Sequence, residues 1–147
     1  MNLVFRRMTE QDINTVNEIE NTIFASPWTK KSFSVEVKNH KYSYPYVAEE
    51  QLTIVGYIVA WYIAHELHIG NIAVVPEKQS QGIGKYLLSN LFLLVNDWEI
   101  SYLEVREHNY KAIKMYESFG FLRLYKRHAY YPDGEDAIIM MKSMQNR

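Results

Sequence analysis

Cysteine is absent from this chain of 147 residues, and other features that define whole classes of protein are missing with it. Without a thiol, the protein has no disulfide, no cysteine nucleophile and no cysteine-based metal site. No apolar run reaches the roughly 18–20 residues of a membrane span, and the N-terminal residues lack the order of a signal peptide. These absences favour a cytoplasmic protein without a membrane partner.

An excess of charge of one sign is also missing. Sixteen basic and seventeen acidic residues give a net charge of −1 with no basic block, which argues against nucleic acid as the main ligand. Of the five histidines, only His65 and His68 lie close together in sequence, and no third ligand stands at a useful spacing. We therefore expect no bound metal.

What is present is the composition of an ordinary folded protein, 48% hydrophobic and 22% charged, and the length predicts a single domain over residues 1–147. Hydrophobic periodicity predicts elements in the order β-α-α-β-β-β-α-β-α-β-β. Strands interleaved with helices in this order predict an α/β domain with three layers around a mixed sheet. The predicted strands cover residues 3–8, 44–49, 53–64, 67–75, 101–106, 121–130 and 137–144. Four helices are predicted: one after Thr9, one over residues 30–39, one after Gly84 and one that begins at Asn109.

The most informative stretch is the strand, glycine loop and helix between Asn71 and Leu94. A short apolar run ends at Pro76, and a polar loop containing Gly82 and Gly84 leads directly into a helical pattern. Glycines allow close approach of a ligand, and the first turn of a helix offers free N–H groups at its positive end. The arrangement predicts a pyrophosphate site. The apolar helix face is predicted to comprise Leu87, Leu88, Leu91, Leu94 and Val95.

The spacing of the loop residues distinguishes among pyrophosphate ligands. Leu87 stands where a dinucleotide fingerprint needs its third glycine, and the loop lacks the first glycine and the hydroxyl residue of a Walker motif. The pattern Q/R-x-x-G-x-G/A is matched by Gln79-x-x-Gly82-x-Gly84. This motif resembles the acetyl-CoA loop of the GCN5-related N-acetyltransferases (GNAT superfamily). A glycine turn before a core helix is the alternative interpretation of the loop alone.

The resemblance implies acetyl-CoA as cosubstrate and a GNAT-like fold of about seven mostly antiparallel strands flanked by about four helices. It also implies that the backbone around Val74 aligns the pantetheine arm and the acetyl carbonyl, and that Asn109 binds the same arm, although Asn109 could be only an N-cap. Gln81 stands where many relatives carry a basic residue, so phosphate binding is expected to depend on Lys85 and on the backbone. The implied cofactor-binding residues are Ile72, Ala73, Val74, Gln79, Ser80, Gln81, Gly82, Ile83, Gly84, Lys85 and Asn109.

Two residues are candidates for proton handling. Strand alternation places Leu103 and Val105 on one face and Glu104 and Arg106 on the other, so Glu104 is a candidate base, or else a surface carboxylate. With an ordinary pKa of ~4.3 it would act through a water or with a raised pKa. Tyr116 could donate a proton to a thiolate, because its ordinary pKa is ~10, or it could simply be part of an apolar helix face.

Five further segments carry a narrower resemblance: Ser26-Pro27-Trp28, Asn71-Ile-Ala-Val, Leu103-Glu-Val-Arg106, Ala112-Ile-x-x-Tyr116-Glu-Ser-x-Gly120-Phe121 and Tyr130-Tyr-Pro-x-Gly-Glu-Asp-Ala-Ile-Ile-Met140. In order and spacing they resemble the RimI-type enzymes, bacterial acetyltransferases of the N-terminal alanine of a small-subunit ribosomal protein. The resemblance implies that Glu104 is the general base, that Tyr116 is the general acid, and that Trp28, Tyr130 and Tyr131 border the peptide entrance. An enzyme of the same fold for a small amine and a non-catalytic acyl-CoA-binding module are the alternatives.

Physical chemistry favours a protein N-terminus as the acceptor. An α-amine with a pKa of ~7.7–8.0 is neutral to a useful fraction near neutral pH, whereas a lysine amine at ~10.4 is almost wholly charged. The absence of cysteine also excludes a thiol intermediate, so direct transfer in a ternary complex is expected.

Overall fold

The computed structural model of the protein describes residues 2–144, in which seven strands and four α-helices follow one another in the predicted order. Short 3-10 turns, Glu10–Asp12 and Pro76–Lys78, precede the first and third helices. The strands are β1 (Leu3–Arg7), β2 (Ser43–Glu50), β3 (Thr53–Ile63), β4 (Glu66–Val74), β5 (Ile100–Arg106), β6 (Leu122–Arg127) and β7 (Ala137–Ser143), and the helices are α1 (Ile13–Ile23), α2 (Lys30–Lys38), α3 (Ile83–Leu94) and α4 (Tyr110–Ser118). No helix among the described residues is long and apolar enough to cross a membrane.

The strands form one mixed sheet in the order β1-β2-β3-β4-β5-β7-β6. β4 and β5 run parallel, with Glu66 opposite Ile100 and Ile69 opposite Leu103. The pairs β1–β2, β2–β3, β5–β7 and β6–β7 are antiparallel. The predicted α/β class, with about seven mostly antiparallel strands and four helices, is confirmed.

The chain divides into two compact units. The first runs up to Trp61 and continues with Asn71–Asn96; its hydrophobic cluster includes the fully buried residues Val16, Phe33, Tyr57 and Val59. The second comprises Tyr62–Gly70 and the chain from Asp97 onward, and its buried residues include Trp98, Leu103, Ile113, Phe121 and Met140. The single domain over residues 1–147 stays a prediction.

Gly56 is the point of closest packing in the first unit. A Cβ atom at this position would lie 2.8 Å from the Ala73 carbonyl oxygen, 3.2 Å from Ile83 Cγ2 and 3.3 Å from Leu87 Cδ1. Only glycine therefore lets β3, β4 and the start of α3 approach this closely. The contact fixes the strand and the helix that flank the glycine loop.

Several predicted boundaries differ from the structure. The strand predicted over residues 121–130 ends at Arg127, because Ala129 has a positive φ of 51° that extended backbone does not allow. The helix predicted after Thr9 begins only at Ile13, after a 3-10 turn in which the Asp12 N–H donates to the Thr9 carbonyl at 3.0 Å. Leu94, predicted on the apolar face, is 46% exposed. Leu94 is the last residue of α3, and the backbone is already extended at Val95, the next residue.

Candidate active site

The predicted phosphate loop, Gln79–Lys85, lies in the first unit and turns at two residues with positive φ. Ser80 has a φ of 64° and Gly82 a φ of 90°, and Gly82 is the N-cap of α3. The helix's first hydrogen bond joins the Tyr86 N–H to the Gly82 carbonyl at 2.9 Å. Earlier N–H groups have no acceptor within their own helix. The loop therefore presents hydrogen-bond donors at the positive end of a helix dipole, a geometry that suits a phosphate.

The side chains of the phosphate loop have different surroundings. Gln79 Nε2 donates to the Val74 carbonyl at 3.1 Å, which ties the loop back to β4. The Ile83 side chain is buried beneath Gly56, so that only its backbone could meet a ligand. Lys85 and Gln81 are exposed. Of these two, only Lys85 carries a charge that attracts a phosphate.

The predicted pantetheine strand, Ile72–Val74, is the end of β4 in the first unit. Ala73 is buried, and its two neighbours are half-buried, so the side chains alternate as in an ordinary core strand. The parallel ladder of β4 with β5 runs from Glu66 to Ile69, and Ile72–Val74 lie further along. A cofactor arm would use only the backbone of these residues, so the core role and the predicted role are compatible.

Glu104 lies on β5 in the second unit and contacts a histidine. Its neighbours Leu103 and Val105 are buried, which confirms the predicted alternation, whereas the Glu104 side chain is 18% exposed. His68 Nε2 lies 2.8 Å from Glu104 Oε1 and 3.1 Å from Oε2. The imidazole stacks on Tyr102 with ring centroids 4.3 Å apart. Stacking on Tyr102 thus fixes the His68 imidazole, and the imidazole in turn holds the Glu104 carboxylate.

Tyr116 lies on α4 with its ring in the core of the second unit. It is 5% exposed and makes an edge contact with Phe121, with centroids 5.9 Å apart. Burial, reinforced by the neighbouring Tyr131, raises the pKa of Tyr116 well above its ordinary value. At neutral pH the hydroxyl is therefore protonated and available as a hydrogen-bond donor. Asn109 caps α4 by accepting the Ala112 N–H at 3.2 Å, which is the alternative that the sequence left open.

The tyrosine loop, Tyr130–Glu135, lies close to Glu104 in the second unit. The two tyrosine rings meet edge to face with centroids 5.0 Å apart. Burial raises the pKa of Tyr131 to about 12, with Glu104 contributing. Burial and the Glu104 charge likewise raise the pKa of Tyr130. The structure therefore brings together Glu104 and both tyrosines that the sequence assigned to the peptide entrance.

Trp28 is integrated into the first unit. Its N–H donates to Glu20 Oε2 and its carbonyl accepts from Asn17 Nδ2, both at 2.9 Å. Its ring packs against Phe33 and stacks near Trp61, with centroids 5.2 and 6.0 Å away. These contacts fix the loop before α2, and a role of Trp28 in substrate binding stays a prediction.

Glu20 is a buried carboxylate that the sequence reasoning missed. It is 1% exposed, and its Oε1 accepts from the Tyr57 hydroxyl at 2.6 Å and from Asn71 Nδ2 at 2.8 Å. With the Trp28 N–H, three donors converge on one side chain. The helical periodicity of α1 could have indicated that position 20 faces inward with Ile13 and Val16.

His68 and Arg106 are the other residues whose roles were missed. In the sequence, His68 stood out only as a possible metal ligand, and Arg106 only as a neighbour of Glu104 within a motif. Their contacts depend on which strands are neighbours and in what register. For His68, knowing that β4 pairs in parallel with β5 would have been enough, because this pairing places His68 opposite Tyr102 and on the same face as Glu104. Within residues 2–144 no group of three or more acidic or histidine side chains could hold a metal ion.

Comparisons with known proteins give a consistent result. The family model "Acetyltransferase (GNAT) family" matches residues 13–121. The ribosomal protein bS18-alanine N-acetyltransferase of Escherichia coli strain K12 is 37% identical over 138 residues, which cover 88% of this chain and 89% of that protein. The enzyme of the same name from Haemophilus ducreyi is 36% identical over 143 residues, covering 90% and 94%.

The solved structures include a similar chain. The crystal structure of the ribosomal-protein-S18-alanine N-acetyltransferase from Escherichia coli matches with a TM-score of 0.88 and 31% identity, covering 97% of this chain and 94% of that one. With 97% of this chain covered, the match extends over both compact units.

Proposed function

This chain belongs to the acetyltransferase (GNAT) family, and we propose that it transfers the acetyl group of acetyl-CoA to the N-terminal α-amine of ribosomal protein bS18. The enzyme class follows from the family. The acceptor is supported by one observation above all, the likeness to bS18-alanine N-acetyltransferases over about nine-tenths of each chain. A single catalytic domain and a cytoplasmic location, where ribosomal proteins are found, are parts of this proposal.

Acetyl-CoA is proposed to bind with its pyrophosphate at the phosphate loop. The donors at the start of α3 and the positive φ values of Ser80 and Gly82 support this, because curled backbone with converging N–H groups favours anions. Lys85 adds a positive charge. The backbone of Ile72–Val74 is proposed to pair with the pantetheine arm, with the Val74 N–H polarising the acetyl carbonyl. Asn109 is proposed to reach the same arm.

Acyl transfer requires a neutral amine, and Glu104 is the proposed base. The amine nitrogen attacks the thioester carbon, the carbon–nitrogen bond forms, and the amine proton passes to the Glu104 carboxylate, directly or through a water. His68 contacts both carboxylate oxygens and is proposed to orient them. Tyr130 and Tyr131 are proposed to line the path of the peptide, since the Glu104 charge helps to raise the pKa of both hydroxyls.

Collapse of the intermediate breaks the carbon–sulfur bond, and Tyr116 is the proposed donor to the departing thiolate. Because burial raises the pKa of Tyr116, its hydroxyl stays protonated while the sulfur becomes negative. A thiol has an ordinary pKa of ~8.5, so complete proton transfer from Tyr116 is uphill. We therefore propose that Tyr116 acts mainly by hydrogen-bonding the thiolate. The thiolate takes its proton from water as CoA leaves, and Glu104 releases the amine proton to water before the next turnover.

The test is intact-mass analysis of three acceptors incubated with acetyl-CoA. They are a peptide that begins with alanine, the same peptide with a blocked N-terminus and an internal lysine, and alaninamide. We expect one acetyl group on the free peptide, none on the blocked one and slow reaction of alaninamide. Equal rates for peptide and alaninamide would indicate a small-amine enzyme. Acetyl-CoA binding without any product would indicate a binding module.

A further inference from the structure

Arg106, at the end of β5, contacts the tyrosine loop, although the two belong to separate motifs in the sequence. Its Nη1 donates to Asp133 Oδ2 at 2.8 Å and to Glu135 Oε1 at 2.9 Å. Its guanidinium carbon lies 4.1 Å from the centre of the Tyr131 ring. A planar cation with several donors suits this combination of carboxylates and an aromatic face, which an ammonium group could not satisfy at once.

We propose that Arg106 is a positioning residue for peptide recognition, holding the tyrosine loop so that Tyr131 meets the first residues of the acceptor. This inference rests on the proposed function, because it requires a peptide acceptor. It assigns Arg106 no part in bond making or breaking. Arg106 acts through Tyr131.

The loop backbone is closed by its own hydrogen bonds. The Gly134 N–H donates to the Tyr131 carbonyl at 2.9 Å, and the Tyr131 N–H donates to the Glu135 carbonyl at 3.2 Å. Glu135 Oε2 accepts the His108 N–H at 3.1 Å, which anchors the loop to the residues that follow β5. With the backbone fixed in this way, the guanidinium sets where the Tyr131 ring lies.

The position of Arg106 relates the loop to the proposed base. Glu104 and Arg106 are two residues apart on β5 and share a face. The centre of the Tyr131 ring lies 4.1 Å from the Arg106 guanidinium carbon, and the Glu104 charge helps to raise the pKa of the Tyr131 hydroxyl. The ring is therefore on the side of β5 from which we expect an acceptor amine to reach Glu104. Asp133 and Glu135 together offset the positive charge of Arg106 with two negative charges. An amine approaching Glu104 is therefore not repelled.

The test is an initial-rate comparison of Arg106→Gln with wild type, varying the alanine peptide at saturating acetyl-CoA. We expect the KM for the peptide to rise about tenfold, since an ion pair and a cation–π contact are lost together. The value of kcat should stay within about twofold and the KM for acetyl-CoA should not change, because the removed interaction orients only the acceptor. Arg106→Lys should be intermediate. Arg123→Gln, which removes an exposed arginine paired with Glu117, should match wild type.

A double substitution separates positioning from a general structural effect. Tyr131→Ala should raise the peptide KM by a similar factor, and adding Arg106→Gln to it should change the KM by less than about twofold, because both act through one contact. An unchanged peptide KM in Arg106→Gln and Arg106→Lys would overturn the inference, as would a loss confined to kcat. It would also be overturned if the increases in peptide KM caused by Tyr131→Ala and by Arg106→Gln multiplied fully in the double variant. If wild type fails to acetylate the peptide, the proposed function falls, and the inference falls with it.

Discussion

Glu104 and His68 share one hydrogen-bonded contact, and the proposed reaction depends on the carboxylate at its centre. Replacing Glu104 by glutamine keeps the size and much of the hydrogen bonding but removes the ability to accept a proton. We predict that Glu104→Gln lowers kcat by about 10²-fold, as expected for loss of a general base. The KM for acetyl-CoA should be unchanged.

Thiol release measured at saturating substrates checks this prediction. Glu117→Gln is the matched control, because Glu117 is an exposed carboxylate whose partner is Arg123, and it should retain wild-type kcat. Undiminished turnover by Glu104→Gln would remove Glu104 from the mechanism.

Glu20 is the residue whose loss should destabilise the first unit most clearly. Truncation to alanine leaves the Tyr57 hydroxyl, the Asn71 amide and the Trp28 N–H without their acceptor. We predict that Glu20→Ala lowers the free energy of unfolding by about 3 kcal/mol, as expected when a buried hydrogen-bonded charge is removed from its partners. Urea denaturation measures this change.

Glu18 provides the comparison on the same helix, where it is exposed. Glu18→Ala should change the free energy of unfolding by no more than about 0.5 kcal/mol. Equal effects of the two substitutions would show that the Glu20 hydrogen bonds contribute little.

At the scale of elements, Gly56 governs how closely β3 approaches β4 and α3. An added Cβ would lie 2.8 Å from the Ala73 carbonyl, which is backbone and cannot rotate away. We predict that Gly56→Ala lowers the free energy of unfolding by about 1–3 kcal/mol through overpacking. It should also weaken acetyl-CoA binding, because Ala73 belongs to the proposed pantetheine strand.

Calorimetric titration with acetyl-CoA and urea denaturation measure the two effects. Thr53→Ala, at the exposed start of β3, should alter neither. If Gly56→Ala proved as stable as wild type and bound acetyl-CoA as well, the close approach would have no energetic importance.

The order of the elements could be predicted because periodicity is a local property. Apolar residues recur along α1 and α4 at helical spacing, and β5 alternates, so each pattern identifies its own element. Two features of β6 made its end unpredictable. All of its residues are exposed, so no burial pattern marks its limits, and Ala129 takes a positive φ that nothing in its residue type indicates.

The candidate site could be predicted only in part, for a related reason. Glu104 and Tyr116 stand in motifs that resemble a family, and Tyr130 and Tyr131 stand beside a proline turn. His68 and Arg106 gain their importance from partners 36 and 27 to 29 residues away. Those contacts follow from strand neighbours and register, which a single sequence does not specify.

At the scale of the whole molecule, acid should weaken both compact units. The Arg6 guanidinium holds the pKa of Asp12 below its ordinary value in the first unit. In the second, Arg106 lowers the pKa of Glu135, and backbone N–H groups lower the pKa of Asp133 and of Asp136. These carboxyl groups bind fewer protons folded than unfolded. Their stabilising contribution is therefore present above their ordinary pKa values and is lost as pH falls through the lowered ones.

We predict that the midpoint of thermal unfolding falls steeply as pH decreases below about 4, near the ordinary pKa of aspartate. Arg6→Gln should show a shallower fall, because Asp12 then titrates more nearly as it does in the unfolded chain. Differential scanning calorimetry between neutral and acid pH measures both curves. The same acid dependence in the two proteins would contradict the assigned role of the Arg6–Asp12 pair.

One measurement addresses the central claim directly, namely that this chain acetylates a protein N-terminus with Glu104 and Tyr116. Purified bS18 with a free N-terminal alanine is incubated with acetyl-CoA and the enzyme, and its intact mass and fragment masses are recorded. The double variant Glu104→Gln/Tyr116→Phe serves as the blank. We predict a gain of one acetyl group, located on the N-terminal alanine, with wild type only. No gain in mass, acetylation of lysines, or equal product with the double variant would contradict the account.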